Sequence, residues 1–138
     1  IYVPITPPVV WTPVEQPLSE MTVALVTAAG VHLKSDKRFN LAGDTGFRVV
    51  PRDADSKDLM VSHGGYDNSD VNKDINCMFP IDRLRELKEE GLIKEVAPKH
   101  IGFMGGGGDV SVFTNETGPQ IAQVLKEENV DAVLLTAG

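Results

Sequence analysis

The sequence contains one cysteine, Cys77, in 138 residues. A single thiol has no partner within the chain, so a disulfide-stapled extracellular scaffold is excluded for this stretch. Long apolar runs are missing as well. None approaches the roughly 20 residues that a membrane-spanning helix needs, and no charged-then-apolar leader opens the sequence. Positive charge is scarce: 13 Lys and Arg stand against 20 Asp and Glu, for a formal net charge of -7. With no basic run to offset that balance, a nucleic-acid partner, whose phosphates draw surplus Lys and Arg, is disfavoured. Metal-ligand spacing is also absent. No His-x-x-x-His pair exists, and Asp67, Asp70 and Asp74 do not follow the alternate-position pattern of a calcium loop, so no metal is expected. What remains, with 41% hydrophobic residues, is one soluble globular domain of ordinary composition, expected in the cytoplasm.

Residues 1–20 hold five of the nine prolines, Pro4, Pro7, Pro8, Pro13 and Pro17, with Tyr2 and Trp11 among them. Proline removes backbone donors and fixes φ, which predicts an extended arm rather than a sheet element. Val3, Ile5, Val9, Val10 and Trp11 give the arm a reason to dock on a surface of its own domain or of a partner.

Residues 21–138 predict an α/β domain. Thr22–Thr27 reads as a buried strand running into Ala28, Ala29 and Gly30, small residues that suit a tight turn at a strand end. Ala132–Leu135 reads as another strand buried on both faces, bounded by Asp131 and followed by Thr136, Ala137 and Gly138. The two share one device, an apolar strand ending in Thr and small residues, and are expected to be central strands facing one cleft. Phe47–Val50, Leu59–Ser62 and His100–Met104 are further strand candidates. One helix is expected from Pro80 and Asp82 to a stop at Gly91, with Ile81, Leu84 and Leu87 on its apolar stripe. A second should start near Pro119, bury Ile121, Val124 and Leu125, and end near Asn129. The pattern predicts an open, mostly parallel sheet with flanking helices, a flavodoxin- or Rossmann-like three-layer arrangement. It is incomplete in this chain, because a last parallel strand needs a crossover to cover it.

The chemistry-bearing stretch is the long polar segment from Ser62 to Pro80, since a loop of that length in a compact domain is usually functional or disordered. His63 could act there as a general acid or base, or simply cap a strand end. His32 follows the first small-residue turn, where cleft residues sit. Gly105–Gly108 could offer backbone amides to a carboxylate, although the run lacks both the Gly-Lys-Thr/Ser ending of a phosphate loop and the spaced glycines of a dinucleotide site. Cys77, beside Met78 and Phe79, is expected to be buried and inert.

Several segments together, Pro4–Pro8, Val23–Lys34, Ser62-His-Gly-Gly-Tyr-Asp-Asn68, Asp70–Asn76, Phe79–Asp82, His100–Gly108 and Asp131–Gly138, resemble the selenoprotein B family of glycine, sarcosine and betaine reductases, in the branch that acts on D-proline. The resemblance implies a subunit in which the segment matching Thr136–Gly138 runs directly into selenocysteine, so the nucleophile is expected directly after Gly138. It implies reductive ring opening of D-proline to 5-aminovalerate, with no cofactor in this stretch, a pyruvoyl group on a partner subunit, and a dithiol or redox protein as electron donor. On that reading residues 1–138 by themselves lack the nucleophile and are inactive. His63 is placed as the acid for the departing nitrogen, and His32, Asp74, Gly106, Thr136 and Gly138 are placed near the substrate. The residues also allow a related B subunit acting on glycine, sarcosine or betaine, or an assembly module without chemistry of its own.

Overall fold

A computed structural model describes residues 11–138. The expectations for Pro4, Pro7, Pro8 and the apolar residues up to Val10 lie outside the described residues. Within the rest of the arm, Trp11 and Val14 are exposed, and a short 3-10 turn at Leu18–Glu20 leads into the domain.

The sheet is built around β1 (Thr22–Thr27). On one side β1 pairs in parallel with β7 (Ala132–Thr136), from Val23 opposite Ala132 to Thr27 opposite Thr136. On the other side it pairs in parallel with β5 (Glu95–Val96) near its start and with β6 (Lys99–Phe103) near its end. The order is completed by β3 (Phe47–Pro51), antiparallel to β6. A second, two-stranded antiparallel sheet joins β2 (Val31–Leu33) to β4 (Leu59–Val61). The architecture is α/β with an open, mostly parallel sheet, as the apolar pattern predicted. The antiparallel β2–β4 pair, packed against β3 and β6, distinguishes it from a plain Rossmann arrangement.

Successive side chains of a strand point to opposite faces, and β1 uses both. Val23 and Leu25 enter the larger core with Val31, Val50, Phe79, Ile81 and Leu84, whereas Val26 enters a smaller one with Ile101 and Ile121. The first core is closed by α1 (Ile81–Glu89), whose end is marked by Gly91 in the left-handed region at φ 73°. The second is closed by α3 (Gly118–Glu127). The helical segment starts earlier than Pro119 suggests. Asp109 accepts from the Ser111 amide and caps α2 (Val110–Val112), and a π-helical stretch over Phe113–Thr117 carries α2 into α3.

Two expectations are corrected here. β7 is not a central strand buried on both faces: it forms an edge, with Val133, Leu134 and Leu135 exposed, because β1 is its one partner among the described strands. Cys77 is exposed rather than buried, since it sits in a 3-10 turn whose inward position is taken by Ile75.

β5 and β6 also differ from a regular edge. From Val96 to Ile101 the chain takes five steps while β1 takes three, from Val23 to Val26, so two extra residues are accommodated against β1. Across that bulge the Leu25 amide donates to Nδ1 of His100 at 2.9 Å, a side-chain acceptor in place of a backbone carbonyl.

Candidate functional site

Because β1, β6 and β7 run parallel, their carboxyl ends emerge together, at the position where open α/β sheets bind ligands. All three ends are made of small residues: Ala28, Ala29 and Gly30 after β1, Gly105–Gly108 beyond β6, and Ala137 with Gly138 after β7. Close approach requires this. A Cβ on Gly30 would stand 2.4 Å from the Ser62 carbonyl oxygen, and one on Gly105 would stand 2.9 Å from the Ala28 Cβ. The ends are also bonded to one another: the Gly105 amide donates to Ala28 O at 2.8 Å, and the Ala28 amide donates to Thr136 O at 3.0 Å.

The segment from Ser62 to Asn68 crosses these ends. The Nε2–H of His63 donates to Gly105 O at 2.6 Å, and its Nδ1 accepts from the Gly65 amide at 2.9 Å, which fixes the tautomer with the proton on Nε2. The Tyr66 hydroxyl donates to Ala29 O at 2.9 Å, and its ring packs tilted against that of His63, with centroids 4.9 Å apart. Partial burial raises the Tyr66 phenol above its usual range, which keeps it a donor at neutral pH. On its other side the ring meets Gly138, where a Cβ would lie 2.2 Å from Cε1. Asn68 closes the turn by donating from Nδ2 to His63 O at 2.8 Å. One loop thus holds the ends of all three parallel strands.

Beside it lies a cavity of about 290 Å³ lined by Leu41, His63, Gly64, Gly65 and Met104–Gly107. His63 and Gly106 therefore line the same cavity. Thr136 is close by on β7, where its hydroxyl donates to Met78 O at 2.6 Å. His32 and Asp74 are not brought to this cavity. His32 is fully buried on β2: Nδ1 donates to Leu33 O at 2.7 Å and Nε2 pairs with the Ser62 hydroxyl at 2.8 Å. Asp74 caps the 3-10 turn at Ile75–Cys77 by accepting from Asn76, a bond that lowers its carboxyl below the usual range. It borders a separate cavity of about 390 Å³ with Lys34, Lys57 and Lys73. Among the described residues, no group of three or more His, Cys, Asp or Glu side chains gathers as a metal site would require.

Tyr66 is the residue to which sequence reasoning gave no role. It stood in view between His63 and Asp67, and the signal that could have singled it out is the run Gly64-Gly65 before it, which lets the loop fold its ring back across the strand ends.

The glycine/sarcosine/betaine reductase selenoprotein B family matches residues 3–138. The chain belongs to that family. It is 74% identical over its whole length to the D-proline reductase subunit gamma of Acetoanaerobium sticklandii, of which it spans 57%. A glycine reductase complex component B subunit gamma from Carboxydothermus hydrogenoformans is 33% identical over 91% of this chain and 30% of its own length. A sarcosine reductase complex component B subunit beta from Peptoclostridium acidaminophilum is 32% identical over the same shares, 91% and 30%. The chain thus spans little more than half of the most similar of these relatives and about a third of the others. No solved structure matches it. Among the described residues no helix is long and apolar enough to cross a membrane.

Proposed function

We propose that this chain is the part of a D-proline reductase subunit that frames the reacting centre for ring opening of D-proline to 5-aminovalerate. The observation that carries the reading is the 74% identity across all 138 residues, a span that takes in every strand end and the whole Ser62–Asn68 loop. Against 33% and 32% for the glycine and sarcosine relatives, that figure favours D-proline over the other amine substrates.

The ring opening adds two electrons and two protons across the Cα–N bond of the substrate, so the site needs a nucleophile, a proton source and a reductant. In this reading a selenocysteine directly after Gly138 supplies an ionised, easily displaced nucleophile, with a pyruvoyl group on a partner subunit holding the substrate nitrogen and a dithiol protein returning the electrons. The small residues at the strand ends fit a bulky nucleophile at the end of β7, because no large side chain from Ala28–Gly30 or Ala137 crowds it.

The chain's own residues take the other tasks. His63 carries its proton on Nε2, bonded to Gly105 O, with Nδ1 turned to the Gly65 amide; once substrate draws the ring away from both, Nδ1 takes up a proton from solvent as Nε2 gives its own to the departing nitrogen. Gly106 lets the substrate approach the cavity wall closely, at a backbone position with φ 82° that favours glycine. Thr136 fixes the end of β7 through Met78. His32 and Asp74 act at one remove, as positioning residues. His32 braces Ser62, the residue before His63, and Asp74 caps the turn that presents Met78 to Thr136.

The test is mass spectrometry of the protein purified from its native source together with its partners, and an assay for 5-aminovalerate from D-proline. Selenium at the position after Gly138 and D-proline-dependent product support the reading. An ordinary residue there, or reduction of glycine but not D-proline, sinks it.

A further inference from the structure

We propose that Tyr66 is a positioning residue whose ring determines where the chain leaves β7, and therefore where the nucleophile assigned to the position after Gly138 stands. The inference rests on the functional reading above, and its own content is mechanical.

Three contacts carry it. The ring occupies the space where a side chain at 138 would be, since a Cβ there would come within 2.2 Å of Cε1, 2.5 Å of Cδ1 and 2.7 Å of Cζ. Real Cβ atoms do not approach carbon so closely, so among the described residues it is Tyr66 that holds residue 138 to glycine. The ring is itself fixed, because its hydroxyl donates to Ala29 O at the end of β1. Its flank rests on His63, which is tied in turn to Gly105 beyond β6. Displacing the ring releases the end of β7 relative to the other two strand ends. Reacting groups tolerate little such freedom: a misplacement of about 1 Å can cost about a hundredfold in rate.

Glycine at 138 and tyrosine at 66 then form a matched pair, and a double-mutant cycle in the full-length protein with its partner subunits tests the match. Gly138→Ala alone should lower kcat for D-proline about tenfold or more, because the ring must move to admit the methyl group. Tyr66→Leu alone should lower kcat about tenfold while KM changes less than about twofold, since the substrate cavity is lined by other residues. In the Tyr66→Leu background the added Gly138→Ala should cost less than about threefold more, because leucine has no Cε1 or Cζ and its Cδ1 branch can turn aside by rotation. Tyr66→Phe keeps the ring, so Gly138→Ala should be as damaging in that background as in the native one. If the Tyr66→Leu variant does not fold, Tyr66→Ala, which has none of Cδ1, Cε1 and Cζ, takes its place in the cycle.

Independent, multiplicative losses in the cycle overturn the proposal, as does a harmless Gly138→Ala. If the enzyme does not reduce D-proline at all, the functional reading fails, and the cycle is then read in thermal midpoints alone. Coupling between positions 66 and 138 in those midpoints sustains the clamp without the chemistry, and additive shifts remove both.

Discussion

The amide of Leu25 and the imidazole of His100 replace a rung of the sheet. In a regular parallel ladder that amide would find a carbonyl on the neighbouring strand, but the two extra residues between Val96 and Ile101 carry the backbone out of register, and Nδ1 of His100 fills the gap at 2.9 Å. Because Nδ1 accepts, the proton sits on Nε2, which is buried without a hydrogen-bond partner among the described residues, beside the edge-on ring of Phe79. Burial, assisted by the charge of Arg85, lowers the His100 pKa from 6.5 to about 4.

Stability should therefore depend on pH in a defined window. Between the folded value of about 4 and the unfolded value of 6.5, the unfolded chain binds a proton that the folded chain refuses. The contribution is complete above that window and is lost as pH falls through it, with a total of about 3 kcal/mol. Denaturant melts from pH 7 to pH 4 should show this loss. His100→Gln, whose amide oxygen can accept from Leu25 but does not titrate, should flatten the slope. An unchanged slope would remove His100 as its cause.

Cys77 should behave as an accessible thiol. It is exposed in the 3-10 turn, so a thiol reagent should label it fully in the native protein, without denaturant. Cys77→Ser should leave stability within about 0.5 kcal/mol, because no packing is lost. Labelling only after unfolding would contradict the placement.

These residues show where the sequence was legible. The strands β1, β3, β4 and β6 and the helix α1 were visible because apolar runs and punctuation by Pro80 and Gly91 agree with local propensity. β2 was not, since Val31-His32-Leu33 is three residues long with a polar centre, and its identity depends on pairing with Leu59–Val61. The π-helical stretch over Phe113–Thr117 has no local signature either. At the site, His63 and Gly106 each stood out because they lie just beyond strands, but that they line one cavity was not legible. The roles of His100 and Tyr66 could not be read either, because each depends on a contact with a residue distant in sequence, Leu25 in one case and Gly138 in the other. The exposed face of β7 was misread for a similar reason, since burial of an apolar run is decided by its neighbours and not by its composition.

His63→Ala in the full-length complex should reduce kcat for D-proline by about a hundredfold or more while changing KM little, the signature of a lost proton donor. His63→Gln keeps a donor near Gly105 O but cannot deliver a proton, so it should restore stability without restoring rate. Steady-state kinetics beside thermal melts check both. Equal losses in kcat and binding would instead assign His63 to holding Gly105 alone.

Two glycines set the steric limits of the fold in opposite ways. A Cβ on Gly102, in β6, would stand 1.9 Å from the carbonyl oxygen of Val31, a backbone atom that cannot turn aside. That contact ties the β2–β4 pair to the main sheet, and β2 also carries His32, which braces Ser62 at the root of the site loop. Gly102→Ala should therefore separate the two sheets and cost about 4 kcal/mol or more, at the extreme of single substitutions. Gly64, in the loop beside the cavity, has none of the described residues within 4 Å of the point a Cβ would occupy, so Gly64→Ala should leave the thermal midpoint unchanged or slightly raised through the loss of unfolded-state freedom. Comparing the two variants by calorimetry separates crowding from backbone freedom. A tolerated Gly102→Ala would mean that β2 does not lie against β6, and with it would fall the path by which His32 supports the loop.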